Sequence, residues 1–480
     1  MNIGTLVDAA AVNAPGRAAL IIKGKTITYG ELATAVDQCA AQLTARRATG
    51  TRVAVVDVGS LLSIATMLGA ARIGAAAALM NPALTAPELR ELLRNAGCAE
   101  TGFAGEAYVD RLSDAGLPEV LTAEVVFGAG ETSAPAPAVD VDDRDALILF
   151  TSGTTGLPKA IGITNGRLSA RITSVAAPFQ ADVPPKVSMM SVPFFHVGGA
   201  IGMLGNLYSG NTYVVQDRFD AEEWLHLVQE HRVTSTFLVP TMLQRIIDHR
   251  DFADADLTSL GAIAYGAAAA PPALIRSALA AMPNVAFANV FGQTETLGAY
   301  TTLLPDDHRN PKRVGSVGRP LTGVEVRVVD PATGRDVAPG IVGELWVNTS
   351  QNVVEGWLQT GDLAYQDLDG YLYPSGRLKD TINRGGEKFG PIEVEEALRT
   401  HPAVRDVAVA GITDEELGQR VGAAVVARFS VTLEDLRDHC REVIAYFKLP
   451  ERLVVVDELP YSDTGKINRR QLASLIDRET

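Results

Sequence analysis

The chain alternates two hydrophobic patterns. Thr28 to Leu43 and Thr85 to Arg94 each open with a hydroxyl followed three residues on by glutamate (Thr28 with Glu31, Thr85 with Glu88). That pairing satisfies the first free N–H groups of a helix, and Leu89, Leu92 and Leu93 then supply an apolar stripe. Between the two helices, Val53 to Val58 reads as a buried strand. After Asp143 the alternation resumes with short apolar runs at Ala146–Phe150, Val187–Val192, Thr212–Val215, Ser235–Val239, Ala262–Tyr265 and Val285–Val290. Helix-length segments such as Asp220 to His231 separate them, a pattern that predicts layered, mostly parallel sheets. From Gly315 to Asp362 the strands Glu325–Val329 and Gly343–Val347 lie close together with Gly/Pro turns and no room for helices, so a small β-barrel or meander is expected over about 315–375. Beyond Arg377 come a helix starting at Pro391, strands Asp406–Ile412 and Gly422–Phe429, and a helix from Thr432. The expected fold is therefore α/β: a large N-terminal domain, residues 1–378, followed by a small α+β domain, residues 379–480. Ala129 to Asp143, rich in alanine, proline and acid, reads as an exposed connector.

Composition narrows the ligands. The 480 residues are 47% hydrophobic, enough for large buried cores. A net charge of −15, from 42 basic and 57 acidic residues, argues against a general nucleic-acid or anionic-membrane surface, so an anionic ligand must meet a local cationic cluster. Cys39, Cys98 and Cys440 are odd in number and far apart, and neither a disulfide framework nor a zinc site is indicated. No apolar stretch reaches the roughly 18 residues of a membrane span, and Met1 to Leu20 lacks a signal-peptide pattern, which makes the cytoplasm the expected location.

One stretch changes the picture. Leu149-Phe-Thr-Ser-Gly-Thr-Thr-Gly-Leu-Pro-Lys159 ends a buried strand in hydroxyls, glycines and a lysine. Gly153 and Gly156 let successive N–H groups face one anion, Thr151, Ser152, Thr154 and Thr155 add hydroxyl donors, and Lys159 adds charge. The spacing is not the Gly-x-x-x-x-Gly-Lys-Ser/Thr of the common NTPase loop. Further on, Tyr265-Gly-Ala-Ala268 and Phe291-Gly-Gln-Thr-Glu295 each end a strand, so their loops open on one side of a sheet, where ligands of α/β proteins bind. Phe291 offers a flat face for a base and Glu295 a carboxylate for Mg²⁺ beside phosphates. Trp357-Leu-Gln-Thr-Gly-Asp362 places a carboxylate after a tight turn, suited to ribose hydroxyls. Gly376-Arg-Leu-Lys-Asp380 brings paired cations, and Thr464-Gly-Lys466 lies in a short polar loop near the end.

In this order and spacing the motifs resemble the adenylate-forming superfamily of acyl-CoA synthetases, firefly-type luciferases and nonribosomal adenylation domains, from Thr28-Tyr-Gly-Glu-Leu32 to Thr464-Gly-Lys-Ile467. The resemblance implies an enzyme that uses ATP and Mg²⁺ to turn a carboxylic acid into an acyl adenylate, then passes the acyl group to a thiol. It implies that the Thr151 to Lys159 loop closes over the β and γ phosphates. Gly266, Ala267, Ala268, Asn289, Phe291 and Gly292 would frame the nucleotide, Asp362 and Arg377 would hold the ribose, and Thr294 and Glu295 would meet the α-phosphate. Thr155 and Glu295 would serve the metal. Lys466 would bridge carboxylate and α-phosphate, and Lys379 would be the hinge of a mobile C-terminal domain. The turn containing Gly385 and Gly386 would line a pantetheine tunnel. His196, in Pro193-Phe-Phe-His-Val-Gly-Gly199, matches an aromatic gate beside the acid; a core histidine is the competing reading.

The acid and acceptor are less sharply drawn. Phe194-Phe-His-Val-Gly198 carries no acid to pair an ammonium, which argues against an α-amino acid. Gly198, Gly199, Gly202 and Gly205 suggest side-chain-free space, and Met203, Leu204, Leu297 and Gly298 apolar walls, or else the glycines only permit tight helix packing. An aliphatic or aromatic acid is expected. Phe291 stands where the superfamily usually has tyrosine, and Ala160 where it has glycine. The segment from Glu344 to Gly356 is shorter than in relatives, which leaves CoA, a carrier-protein phosphopantetheine or an amine as acceptor. A catalytically silent adenylate-binding protein would share the fold.

Overall fold

The structure is a computed structural model that describes residues 1–128, 139, 141–152, 158–462 and 465–479. Most of the connector expected at Ala129 to Asp143 lies outside the described residues, as do Gly153, Thr154, Thr155 and Gly156 of the candidate phosphate loop and Thr464. The side chain of Ser152 is likewise not described.

The large N-terminal part holds two mostly parallel sheets, antiparallel at both edges of the larger and at one edge of the smaller. The nine-stranded sheet runs, in spatial order, Arg319–Pro320, Gly298–Leu303, Ala286–Gln293, Ala262–Gly266, Ser235–Leu238, Val187–Met190, Thr212–Val215, Ala18–Ile22 and Lys25–Thr28. Its pairs from Ala286–Gln293 through Ala18–Ile22 are all parallel. The six-stranded sheet follows the order Glu119–Leu121, Thr101–Ala104, Arg52–Val56, Ala76–Met80, Asp145–Ser152, Pro158–Thr164, with only the last pair antiparallel. Both predicted capping boxes form, at Thr28 and at Thr85, and the helices they start run Tyr29–Ala45 and Ala86–Ala96. Between the sheets the helix Leu61–Arg72 is buried almost all round, with small residues that let neighbours approach closely. A Cβ on Gly69 would lie 2.8 Å from the Val36 carbonyl oxygen of the adjacent helix.

The segment after residue 315 folds as a four-stranded antiparallel meander, Glu325–Val329, Gly343–Asn348, Leu358–Gln366 and Leu372–Arg377. Among the described residues no pairing joins its first and last strands, so of the two expected shapes it is the meander that forms. Its inner face packs on Tyr300 and Val317. From Ile382 onward a five-stranded sheet builds the smaller α+β domain. The helices Pro391–Arg399 and Leu433–Cys440 cover one face and Arg469–Glu479 the other.

Candidate active site

The strands that end toward the meander carry the candidate side chains, and the reason lies in their backbone. Ala262–Gly266 stops where Gly266 comes against the next strand: a Cβ there would sit 2.1 Å from the Val290 carbonyl oxygen. Ala267 then turns the chain with φ +66°, a left-handed conformation that costs an alanine about 1 kcal/mol. The neighbouring strand ends with the same economy of space, since a Cβ on Gly292 would meet the Gly298 carbonyl oxygen at 1.9 Å. A single helical turn, Thr294–Thr296, follows, locked by Thr296 Oγ1, which donates to the Gly298 carbonyl at 2.7 Å and accepts from the Gln293 N–H at 3.1 Å, and Leu297 closes it at φ +51°. Strained non-glycine residues thus sit in both loops that would face the ligand. Asn289, buried in the strand, directs its amide toward the Ser316 carbonyl at 3.5 Å. Phe291 and Tyr300 meet edge to face, with ring centroids 5.4 Å apart, and Phe291 stays partly exposed.

Asp362 comes from the meander. It lies inside the strand Leu358–Gln366 rather than after a tight turn, as expected from the sequence, and the local distortion is a left-handed Gly361 (φ +70°). The Glu344 carboxylate accepts the Gly361 N–H at 3.2 Å, and Thr360 Oγ1 donates to the Leu345 carbonyl at 2.6 Å, so the bend is held from the adjacent strand. Asp362 pairs in register with Arg377, whose Nε donates to Oδ1 at 2.8 Å. The aspartate is only 7% exposed. Burial pushes its carboxyl above the usual carboxylate value, while Arg377 and then Lys466 draw it back down.

Lys466 reaches this cluster from the far end of the sequence. The Ser462 N–H donates to the Lys466 carbonyl and the Gly465 N–H to the Ser462 carbonyl, each at 2.8 Å. Gly465, with φ +70°, is buried against Val239 and Thr241 at the end of the strand Ser235–Leu238. The lysine keeps solvent access across the open cleft, yet the protein around it desolvates the ammonium and lowers its pKa. Arg377 lowers it further, and the Asp362 and Glu295 carboxylates oppose the shift. One side chain therefore stands in the field of two carboxylates and a guanidinium contributed by three other segments. An exposed ion pair, Arg245 Nη2 to Glu458 Oε1 at 2.7 Å, also spans the two parts.

Other expected residues are placed less centrally. Thr151 and Lys159 face each other across the antiparallel pair that flanks the candidate phosphate loop, with Lys159 exposed; Ser152 contributes its backbone to the same pair. His196 caps the helix Val197–Tyr208, its ring 4.6 Å from that of Phe195. Lys379 is exposed in the short turn Leu378–Asp380 that leads into the smaller domain. Gly385 and Gly386, both left-handed, form an exposed hairpin tip bonded to the Leu417 carbonyl, and no described hydrogen bond or ion pair joins it to the Asp362 cluster. At two of the four glycines, packing leaves no pocket space. A Cβ would meet the Pro193 carbonyl oxygen at 2.3 Å from Gly199 and Met190 Cε at 2.1 Å from Gly202. Met203, Leu204 and Leu297 are core residues, while Gly198 and Gly298 stay open enough to border a ligand.

Three features had no sequence signal. The seat for Gly465 at Val239 and Thr241 is visible only once distant segments meet. Tyr300 backs Phe291 from a strand that looks like any other. The shortened segment folds over the site: the Val353 N–H donates to the Glu295 carbonyl at 2.9 Å and Arg167 donates to the Val353 carbonyl at 3.1 Å.

An aromatic ring, two carboxylates and a lysine from the C-terminal part thus gather near the ends of these strands. The chain belongs to the AMP-binding enzyme family: the family profile matches residues 7–358, and the profile of the AMP-binding enzyme C-terminal domain matches residues 393–466. It is 31% identical over 516 residues to the indoleacetate–CoA ligase of Aromatoleum aromaticum, covering 100% of this chain and 99% of that one. It is 30% identical over 501 residues to the fatty acid–[acyl-carrier-protein] ligase ScoC of Streptomyces coeruleorubidus, covering 98% and 96%. Among solved structures, the amide bond synthetase McbA from Marinactinospora thermotolerans superposes with a TM-score of 0.88 at 26% identity, covering 98% of this chain and 99% of that one. The activity class is thus ATP-dependent activation of an acid followed by transfer to a thiol or an amine. No helix among the described residues is long and apolar enough to cross a membrane.

Proposed function

We propose that this enzyme adenylates an aliphatic or aromatic carboxylic acid, not an α-amino acid, in the cleft between Phe291, Asp362 and Lys466, and transfers the acyl group to the thiol of CoA. The observation that carries the reading is Lys466, brought from the C-terminal turn into the field of Asp362, Glu295 and Arg377.

A carboxylate is a poor acyl donor because its leaving group would be oxide. ATP supplies the remedy when bound: its α-phosphorus accepts the carboxylate oxygen and pyrophosphate departs. Two anions must approach for that to happen, and the chain's residues make the approach tolerable. The Lys466 ammonium lies between them and stabilises the charge that builds up at phosphorus. Phe291 stacks the base, with Tyr300 holding its ring, and Asp362, oriented by Arg377, accepts from the ribose hydroxyls. Thr294 adds a hydroxyl at the α-phosphate. No group of three His, Cys, Asp or Glu among the described residues forms a metal cage. Mg²⁺ is commonly held by one or two carboxylates plus substrate phosphates, and Glu295, with Thr155 of the phosphate loop, would supply the protein's share. Thr151, Ser152, Gly153, Thr154, Gly156 and Lys159 are assigned to the outer phosphates, and His196 to the wall beside the acid.

For the second step the thiol needs the carbonyl that Lys466 shields. We place the domain boundary at residues 378/379 and the hinge at Lys379, so that rotation withdraws the lysine and brings the Gly385–Gly386 tip to the thiol. An amine acceptor is the second reading, favoured by the short 344–356 segment folded against Glu295. Acid-dependent pyrophosphate release, followed with CoA and with amines as acceptors, tests both. Release that tracks non-amino acids and product formed with CoA support the first reading; product with amines alone sustains the second; preference for α-amino acids overturns the acid class.

A further inference from the structure

Arg171 is a buried cation with no ion-pair partner among the described residues. It lies in the helix Asn165–Val175 and is 5% exposed. Burial alone drives its pKa down, with no carboxylate acting on it. Of its donors, Nη1 reaches Gln351 Oε1 at 3.1 Å, Nε is buried with no hydrogen-bond partner, and Nη2 has none among the described residues. Arg72, the other buried arginine among the described residues, shows what is missing here: it is paired with both Asp8 and Asp37. A desolvated guanidinium left unpaired is expensive, and folded proteins keep such groups where a ligand completes them.

Its position says which ligand. Nη2 is 3.6 Å from where a Cβ on Gly298 would stand, and Gly298 follows Glu295 by three residues on the loop at the α-phosphate side of the cleft. The helix carrying Arg171 packs on Val197–Tyr208, and that helix in turn packs on the strand Gly298–Leu303. Arg171 therefore stands where these two helices meet the strand that follows the Glu295 turn. Gly298 has no side chain to block the guanidinium from the cleft.

Resting on the adenylating function proposed above, we infer that Arg171 is a specificity-determining residue that binds a second anionic group at the tail of the substrate, so that the preferred acid is a dicarboxylic acid. The reacting carboxylate goes to Lys466 and the distal one to the free Nε and Nη2 edge of Arg171, a planar fork suited to a carboxylate.

The test compares matched pairs of acids, a monocarboxylic acid and the dicarboxylic acid that differs only by the terminal carboxylate, across a series of chain lengths and an aromatic pair. Acid-dependent pyrophosphate release is measured for the wild-type protein, Arg171→Met and Arg171→Lys. At one length or more, the wild-type kcat/KM should favour the dicarboxylic acid by roughly 10- to 100-fold, the range of a charge-assisted bidentate contact. Arg171→Met should erase that preference, chiefly through KM, and leave the monocarboxylic acid within about threefold, with Arg171→Lys between the two. Wild-type preference for the monocarboxylic partner at every length overturns the inference, whether or not the variants fold. Equal loss with both partners in Arg171→Met also overturns it, since the arginine would then only anchor Gln351. Absence of release with any acid counts instead against the adenylating assignment itself.

Discussion

Gly465→Ala perturbs the seating of Lys466 without touching a charge. Alanine at φ +70° costs about 1–2 kcal/mol wherever the turn keeps its shape, because the Cβ crowds the following carbonyl. The same Cβ would lie 2.9 Å from Thr241 Oγ1 and 3.0 Å from Val239 Cγ2, closer than such atoms normally approach. Relieving that overlap costs on the order of 1–3 kcal/mol, and only while the turn is docked on the strand end. The docked population, and with it adenylation, should therefore fall roughly 5- to 150-fold. Transfer of the acyl group from supplied acyl adenylate, which does not need the lysine, should change by less than about threefold. Adding Thr241→Ala removes the nearer contact and should recover part of the loss. The assay is pyrophosphate release at saturating acid alongside transfer from synthetic adenylate. Adenylation within about threefold of wild type in a variant with the wild-type melting temperature would show that docking of the turn does not set the rate, as would equal loss in both half-reactions.

Other expectations follow from the same geometry. Phe291→Ala should raise the KM for ATP by on the order of 10-fold with a smaller effect on kcat, since it removes a stacking face and leaves the reacting groups in place; steady-state kinetics with varied ATP decide it. Gly292→Ala puts a Cβ 1.9 Å from the Gly298 carbonyl oxygen, so Thr294 and Glu295 must shift, and adenylation should be lost while the C-terminal domain stays folded by circular dichroism. In the free enzyme Lys466 binds its proton more weakly than an ordinary lysine, so it loses its charge at a pH below 10.5. Because catalysis needs the charged form, kcat/KM for ATP should show a basic limb below that pH, and Lys466→Arg should move the limb upward. The sign for docking is opposite: the seated turn binds fewer protons than the free one, so seating strengthens as pH rises through that window.

How much of this was legible beforehand depended on whether a residue's role is local. The caps at Thr28 and Thr85 and the helix starts at Asp220 and Pro391 are written in adjacent residues, and each forms where the sequence puts it. The apolar runs predicted strands but not their order, and Ala18–Ile22 pairs with Thr212–Val215 across nearly two hundred positions, which no local pattern announces. The resemblance gives Asp362 and Arg377 one job at the ribose, whereas the bend at Gly361 beside the aspartate depends on Glu344 in a neighbouring strand. Gly199 and Gly202 misled because a glycine reads alike whether it opens a pocket or admits Pro193 and Met190. Arg171 gave no signal at all, since a single arginine in a helix is ordinarily solvated; only its burial beside Gly298 distinguishes it.

On the proposed function, Lys466 acts in adenylation alone, from its docked position. The most direct measurement is the pair of half-reaction rates in Lys466→Ala. Acid-dependent pyrophosphate release should fall by about 10² or more, the usual cost of removing one preorganised charge at the transition state, while acyl transfer from supplied adenylate stays near the wild-type rate. Equal loss in both steps, or pyrophosphate release that survives the substitution, would contradict the account.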